Sequence, residues 1–512
     1  MIAFISGLVL LTGGYFIYGR LTQSAVRPDP ARPTPALSRA DGVDYVAMPT
    51  WRVYLIQLLN IAGLGPVFGP ILGALWGPQV FLWVVFGCIL GGAVHDFLIG
   101  AMSIRNDGAG LPDLIGHYLG TGARHFATFF ILLLMLLVGT VFVKGPALLI
   151  VELLPAETVG SLFGSGATEW LNTSVFGLSV WMWTVMLVIY IYYILATLLA
   201  IDTIIGRFYP FFALALLVMV AGLGLALLTG RISAVPFTLD NLHPKHLPAW
   251  PLIFITVSCG AVSGFHATQS PLMARCLKSE KRMRLVFYGA MIAEGVIALI
   301  WSATALGFYD GIDGLSAALA KGGPGAVVRD ACVATMGMAG GALAVLGVVV
   351  LPITSGDTAF RVGRLILADY FHVPQKRLLN RYILVVPLFV LSFALNFVNF
   401  DVVWRYFGWA NQTLAAVALW CAAVFLARRH SRWWLAFIPA VFMTVVTTTY
   451  ILVEAVGFGL EPRVGTILGV AIGAVCAAFF LWRRSKLAPE EDKPAMVAQP
   501  TETERSTDSL AC

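Results

Sequence analysis

Apolar residues come in runs of about twenty along this chain, separated by short clusters of charge, glycine and proline. About twenty apolar residues let a helix cross the hydrocarbon core of a bilayer, and the runs are too long for barrel strands of about ten. Backbone groups in lipid must be satisfied within helices or closed barrels. The pattern therefore predicts an all-α integral membrane protein with about thirteen spans. They fall near 2–18, 53–75, 79–103, 126–150, 177–200, 208–229, 250–270, 286–308, 330–354, 382–399, 409–427, 434–456 and 463–482. The first run lacks a basic leader and a small-residue cleavage site, so it is kept as a span.

Two runs carry breaks. The second contains Gly63-Leu64-Gly65-Pro66-Val67-Phe68-Gly69-Pro70, and the seventh contains Gly260-Ala261-Val262-Ser263-Gly264-Phe265-His266-Ala267-Thr268-Gln269-Ser270-Pro271. Proline removes a backbone donor and glycine weakens a helix, which leaves polar backbone unpaired at membrane depth. Such backbone persists only when buried in protein or lining a polar cavity. The broken spans stand five apart, and five is odd, so spans two to six and seven to eleven read as the halves of an inverted repeat. Close packing in membrane helices also uses glycine and proline, but coincidence of position favours a transport site.

The predicted organisation follows: 1–19, an extra N-terminal transmembrane helix; 20–52, a cytoplasmic Pro-rich loop; 53–229 and 250–427, two five-helix repeats; 434–484, two additional helices; 485–512, a disordered cytoplasmic tail.

Composition narrows the class. Of 512 residues 59% are hydrophobic and 12% charged, too few charges to coat a water-soluble surface. With the N-terminus outside and the C-terminus cytoplasmic, roughly 26 of the 33 Lys and Arg residues fall on the cytoplasmic side. The net charge of +6 is thus explained by topology, not by nucleic-acid binding. Seven scattered cysteines lack metal or redox spacing and read as packing residues. Neither a hydrolase triad, a paired catalytic carboxylate motif nor a nucleotide-binding loop is present, so no enzyme and no ATP-driven pump is expected.

Several stretches carry a resemblance: Asp41-Gly42-Val43-Asp44-Tyr45-Val46, Ile61 to Pro66, Gly92-Ala93-Val94-His95-Asp96-Phe97, Ser263 to Pro271 followed by Met273-Ala274-Arg275, and Phe407-Gly408-Trp409-Ala410-Asn411-Gln412. On these the chain resembles the carbon starvation protein A family. The resemblance implies uptake of peptides or pyruvate on a fold similar to the LeuT five-plus-five inverted repeat, with two discontinuous helices.

An ionisable group inside a span costs roughly 3 kcal/mol on insertion scales. Lys144 offers a cation for a substrate carboxylate, although snorkelling of its ammonium to the interface explains it equally well. His95, Asp96, His266 and Asp357 are the candidates for proton coupling, with structural pairing as the plain alternative. Gly63, Gly65, Ser263, Gly264, His266, Thr268 and Gln269 lie in the breaks and are expected to contact substrate, helped by amides at a half-helix N-terminus. Asn411 and Gln412 face the same cavity or bridge helices, and Glu294 in the eighth span is a further cavity candidate. The ninth span is expected to end in Pro352-Ile353-Thr354-Ser355-Gly356-Asp357-Thr358; by the LeuT likeness, Thr354, Ser355 and Thr358 would form a sodium-like site with carbonyls of the first break, and local capping is the alternative. Tyr190, Tyr192 and Tyr193, with Trp181 and Trp183, form an aromatic cluster in the fifth span, where an interfacial belt explains the Trp pair better than substrate stacking does.

The expected function is secondary import of a small carboxylate-bearing molecule across the bacterial cytoplasmic membrane by alternating access, with no cofactor beyond a proton or sodium ion. The lipid bilayer and the substrate are the expected partners. A channel or a membrane-embedded nutrient sensor is the competing class.

Overall fold

A computed structural model describes residues 2–42, 44–198, 201–233, 235–375 and 377–490. The principal helices are α1 (Ile2–Val26), α2 (Thr50–Ile61), α3 (Gly65–Gly73), α4 (Val80–Arg105), α5 (Thr121–Leu153), α6 (Val180–Leu198), α7 (Ile201–Leu228), α8 (Leu252–Thr256), α9 (His266–Ala274), α10 (Glu280–Phe308), α11 (Ile312–Tyr370), α12 (Leu378–Leu395), α13 (Phe400–Arg428), α14 (Trp434–Val453) and α15 (Pro462–Arg484).

Ten helices among the described residues are long and apolar enough to cross a membrane, and each overlaps an expected span. The other three expected spans correspond to α7 and to the two pairs α2/α3 and α8/α9, which are interrupted at their glycine- and proline-rich stretches. Burial separates centre from rim. In α4, α10 and α13, 83%, 78% and 83% of the most apolar window is covered, against 28%, 28% and 22% in α1, α12 and α15. The rim helices turn residues such as Ile383, Val390 and Ile467 outward, as a lipid-facing surface requires.

Four local features depart from the expectation. The apolar run at the N-terminus ends at Tyr18, yet the helix continues through Arg20 to Val26 after a bend at Ile17. A two-stranded ribbon, Ser174–Val175 with Leu178–Ser179, interrupts the all-α pattern between α5 and α6. The ninth span does not end at Pro352–Thr358: α11 runs on to Tyr370, while left-handed backbone at Gly323 and Gly337 kinks its earlier part. Past Pro352 the Thr354 and Ser355 hydroxyls bond the Leu351 carbonyl, and the Tyr193 hydroxyl bonds that of Pro352. Of the expected tail, 491–512 lies outside the described residues, and Glu490 is held by the Tyr118 hydroxyl at 2.8 Å and by a bond from its amide to the Arg428 carbonyl.

The two broken helices pack on each other in opposite directions. The first half of one (α2) lies against the second half of the other (α9), and α3 lies against α8. The first break turns the chain by 45° at residues 62–64. The second leaves 257–265 without regular helix. Each broken helix is followed by a span that opens with π-helical turns, Trp83–Gly92 in α4 and Arg284–Tyr288 in α10. π-Turns of this kind cluster at functional sites.

Candidate functional site

The breaks touch at a position without side-chain volume. A Cβ on Gly65 would stand 2.2 Å from the Cβ of Cys259, so only glycine permits this approach. Around the contact, three helices deliver ionisable groups to one spot. Asp96 comes from α4, His266 begins α9, and Glu294 comes from α10; all are fully buried.

Asp96 sits between two imidazoles. One carboxylate oxygen is 2.8 Å from His95 Nδ1 and the other 3.0 Å from His266 Nδ1. On the opposite edge of the His266 ring, Nε2 stands 3.5 Å from Glu294 Oε2. The other Glu294 oxygen accepts from the Gly260 amide at 3.1 Å, which ties α10 to the second break. Cys259 adds its thiol, and the ligand-type atoms of Cys259, His266 and Glu294 lie within 4.8 Å of one another. With Asp96 accepting at Nδ1, a neutral His266 presents a bare Nε2, and a hydrogen bond to Glu294 then needs one proton shared between Nε2 and the carboxyl. His266 Nε2 and Glu294 Oε2 have no other hydrogen-bond partner. Buried ionisable groups of this kind cost several kcal/mol to hold in a membrane and mark ion pathways.

Asn411 organises the second break. Its side-chain oxygen accepts from the Phe265 amide at 2.7 Å, its backbone carbonyl accepts from the Gly264 amide at 3.1 Å, and its amide nitrogen donates to Ser263 Oγ at 3.1 Å. The Gly264 and Phe265 amides, just ahead of α9, are therefore already paired with α13, and those of Ala267 and Thr268 bond the Gly264 and Phe265 carbonyls. Gln412 donates to the Phe254 carbonyl at 2.9 Å, fastening α13 to α8 as well. Thr268 bonds back to the Phe265 carbonyl, and Gln269 donates to the Thr268 hydroxyl. The buried Gln269 Oε1 and Gln412 Oε1 are left with no hydrogen-bond partner.

The remaining candidates fall elsewhere. Gly63 packs its α-carbon against Phe142 and near Ser355. Three carbonyls, those of Leu59, Asn60 and Leu351, converge on the Ser355 hydroxyl at 3.4, 2.9 and 3.0 Å. That all-oxygen set suits a hard cation. Thr354 and Thr358 bond carbonyls of their own helix, so Ser355 alone of the three has its hydroxyl on the first break. Lys144 is not brought to the cluster. Its ammonium reaches the carbonyls of Asn396 and Val398, at 3.2 and 3.4 Å, just beyond the C-terminus of α12, where a cation meets the negative end of the helix dipole. Asp357 accepts from the Tyr192 hydroxyl at 2.9 Å, away from His266.

Cavities approach the crossing from both ends. One of about 490 Å³ is floored by Leu72, Ile255 and Thr256 and walled by His243, Lys245, Asp401, Trp404 and Arg405. A second, of about 40 Å³, reaches Thr268 and Pro271 from the opposite side, past Arg275 and the Asp113–Arg124 ion pair.

Two interrupted helices crossing at a buried charge cluster, inside a multi-pass membrane bundle, define the architecture of this chain. The family described as "Carbon starvation protein CstA" matches it over residues 1–163, 142–312 and 311–450, and the chain belongs to that family. An "Uncharacterized membrane protein" of Haemophilus influenzae is 43% identical over 354 residues, covering 63% of this chain and 95% of that protein. The "Peptide transporter CstA" of Bacillus subtilis is 30% identical over 369 residues, 59% of this chain and 58% of the relative. The "Pyruvate/proton symporter BtsT" of Escherichia coli is 29% identical over 334 residues, 56% and 46%. The chain thus aligns with about half the length of these two named transporters.

Cys259 is the member of the cluster least visible in sequence, whereas Glu294 is a cavity candidate from its place inside the eighth span. Glu294 carries a further signal: it follows Gly260 by about the interval that separates Asp96 from Gly63, 34 residues against 33.

Proposed function

We propose that this chain is a secondary active transporter that imports small carboxylate-bearing nutrients, peptides or pyruvate, across the bacterial cytoplasmic membrane by alternating access, driven by protons. The observation that carries the reading is the His266–Asp96–Glu294 cluster held where two broken helices cross. Such a cluster is costly in lipid and takes no part in the helix ladders, so a role in moving charge accounts for its retention.

In this reading the substrate binds beside the breaks, where Ser263, Thr268 and Gln269 offer polar contacts, while Gly63 and Gly65 let the first break close on its neighbours. The unequal cavities match one access state: the larger is the open side and the smaller the closed one. With the N-terminus outside, as the bias of Lys and Arg favours, the larger cavity opens outward. The relatives' names supply the two substrate classes, and the symporter's name favours the proton over sodium at Ser355.

Purified protein in proteoliposomes tests the reading. Saturable counterflow of labelled pyruvate or of a dipeptide, stimulated by an inward proton gradient, is expected. Conductance without counterflow would mean a channel instead.

A further inference from the structure

Resting on the carrier reading above, we infer that Glu294 is a second proton-carrying group, which exchanges a proton with Asp96 through the two nitrogens of His266.

Asp96 and Glu294 occupy nearly the same interval after their respective breaks, each on the span that follows a broken helix and each downstream of π-helical turns. An inverted repeat places such counterparts across its pseudo-twofold axis, and here they meet on opposite edges of one imidazole. The ring is held on the Asp96 side at hydrogen-bond length, 3.0 Å, and on the Glu294 side at a looser 3.5 Å. Movement of α9 toward α10 would exchange the short contact for the long one. No other described contact asks for a carboxyl at Glu294 Oε2, whereas Oε1 is spent on the Gly260 amide.

The transfer balances. The Glu294 carboxylic acid gives its proton to His266 Nε2, the ring releases its Nδ1 proton to the Asp96 carboxylate, and the imidazole ends neutral in its other tautomer. The groups facing this path are His95 and Asp96 from α4, Cys259 from the second break, His266 from α9 and Glu294 from α10, with Cys88 of α4 packed against Gly295 beside it. Each end of the relay belongs to a different half of the protein, so a change in how the halves lean alters which acid holds the proton.

Glu294→Gln tests this, because the amide keeps an oxygen for the Gly260 amide but carries no exchangeable acid proton. Wild-type and variant proteoliposomes would be compared for counterflow and for uphill accumulation of labelled pyruvate and of a dipeptide under an inward proton gradient. The expected result is counterflow within about twofold of wild type with at least tenfold loss of accumulation, and recovery of accumulation in Glu294→Asp. Accumulation at the wild-type level in Glu294→Gln overturns the inference. So does loss of counterflow and accumulation together in a variant whose thermal unfolding matches wild type, since Glu294 would then serve substrate binding. Absence of counterflow in the wild type with both probes overturns the carrier reading itself, and this inference with it.

Discussion

Replacing Gly65 with alanine adds one carbon at the point where the two breaks touch. Gly65 has ordinary helical backbone, being absent from the left-handed positions, so alanine meets no conformational penalty there. Its Cβ would lie 2.2 Å from Cys259 Cβ and 2.3 Å from Sγ. Reaching ordinary contact requires the breaks to separate by about 1.2 Å, and overpacking of this kind costs about 1–3 kcal/mol. Separation also disturbs the register of Gly260 on Glu294, 3.1 Å apart, so transport should fall together with stability. Thermal unfolding in detergent and counterflow in proteoliposomes measure the two effects. Cys259→Gly removes the opposing carbon, and the Gly65→Ala/Cys259→Gly pair should recover most of the lost stability, giving a favourable coupling in the double-mutant cycle. A Gly65→Ala protein as stable and active as wild type would refute the contact between the breaks.

Other expectations are more local. Asn411→Ala strips partners from the buried Phe265 amide and the Ser263 hydroxyl, at about 1–3 kcal/mol for each group left unsatisfied, and should speed hydrogen exchange at 260–266; unchanged exchange would mean that the break does not depend on α13. Lys144→Met should cost about 1 kcal/mol through loss of charge at the end of α12 and leave the KM for substrate within about twofold; abolished uptake in a protein of unaltered stability would return Lys144 to the substrate site. Tyr192→Phe removes the donor to Asp357 and should destabilise the α6–α11 contact by about 1–3 kcal/mol, read by thermal unfolding, with proton dependence of uptake retained; lost proton dependence would make Asp357 part of the coupling path. Ser355→Ala should leave uptake indifferent to sodium, as expected of the wild type; a strict sodium requirement in the wild type that this variant abolishes would establish the carbonyl cluster as the ion site.

What was legible in the sequence was the lipid-facing period and the places where it fails. Gly63 to Pro70 and Gly260 to Pro271 announce the breaks because glycine and proline act through the local backbone alone. The partners of those breaks were not legible, because they depend on which distant helix comes close. Asn411 lies 146 residues from the amide it caps, and nothing local distinguishes it from a polar residue bridging two helices. Lys144 looked like a charge for a substrate, and its actual neighbours, two carbonyls beyond the end of α12, are 252 and 254 residues away. Pro352 to Thr358 suggested a helix end for a similar reason. The helix nonetheless runs on to Tyr370, and the Pro352 carbonyl takes a bond from Tyr193 on another helix. Cys259 reads as packing because a lone thiol has no pattern, whereas Glu294 stands out as an acid inside a span, and its distance from Gly260 matches that of Asp96 from Gly63.

Simultaneous recording of labelled substrate entry and lumenal acidification, in proteoliposomes containing the purified protein, puts the buried cluster to its most direct trial. Pyruvate or dipeptide uptake should carry protons inward in a fixed ratio, and Asp96→Asn should uncouple the two while exchange continues. Substrate entry without proton movement in the wild type, or an unchanged ratio in Asp96→Asn, would contradict the role given to the crossing of the broken helices.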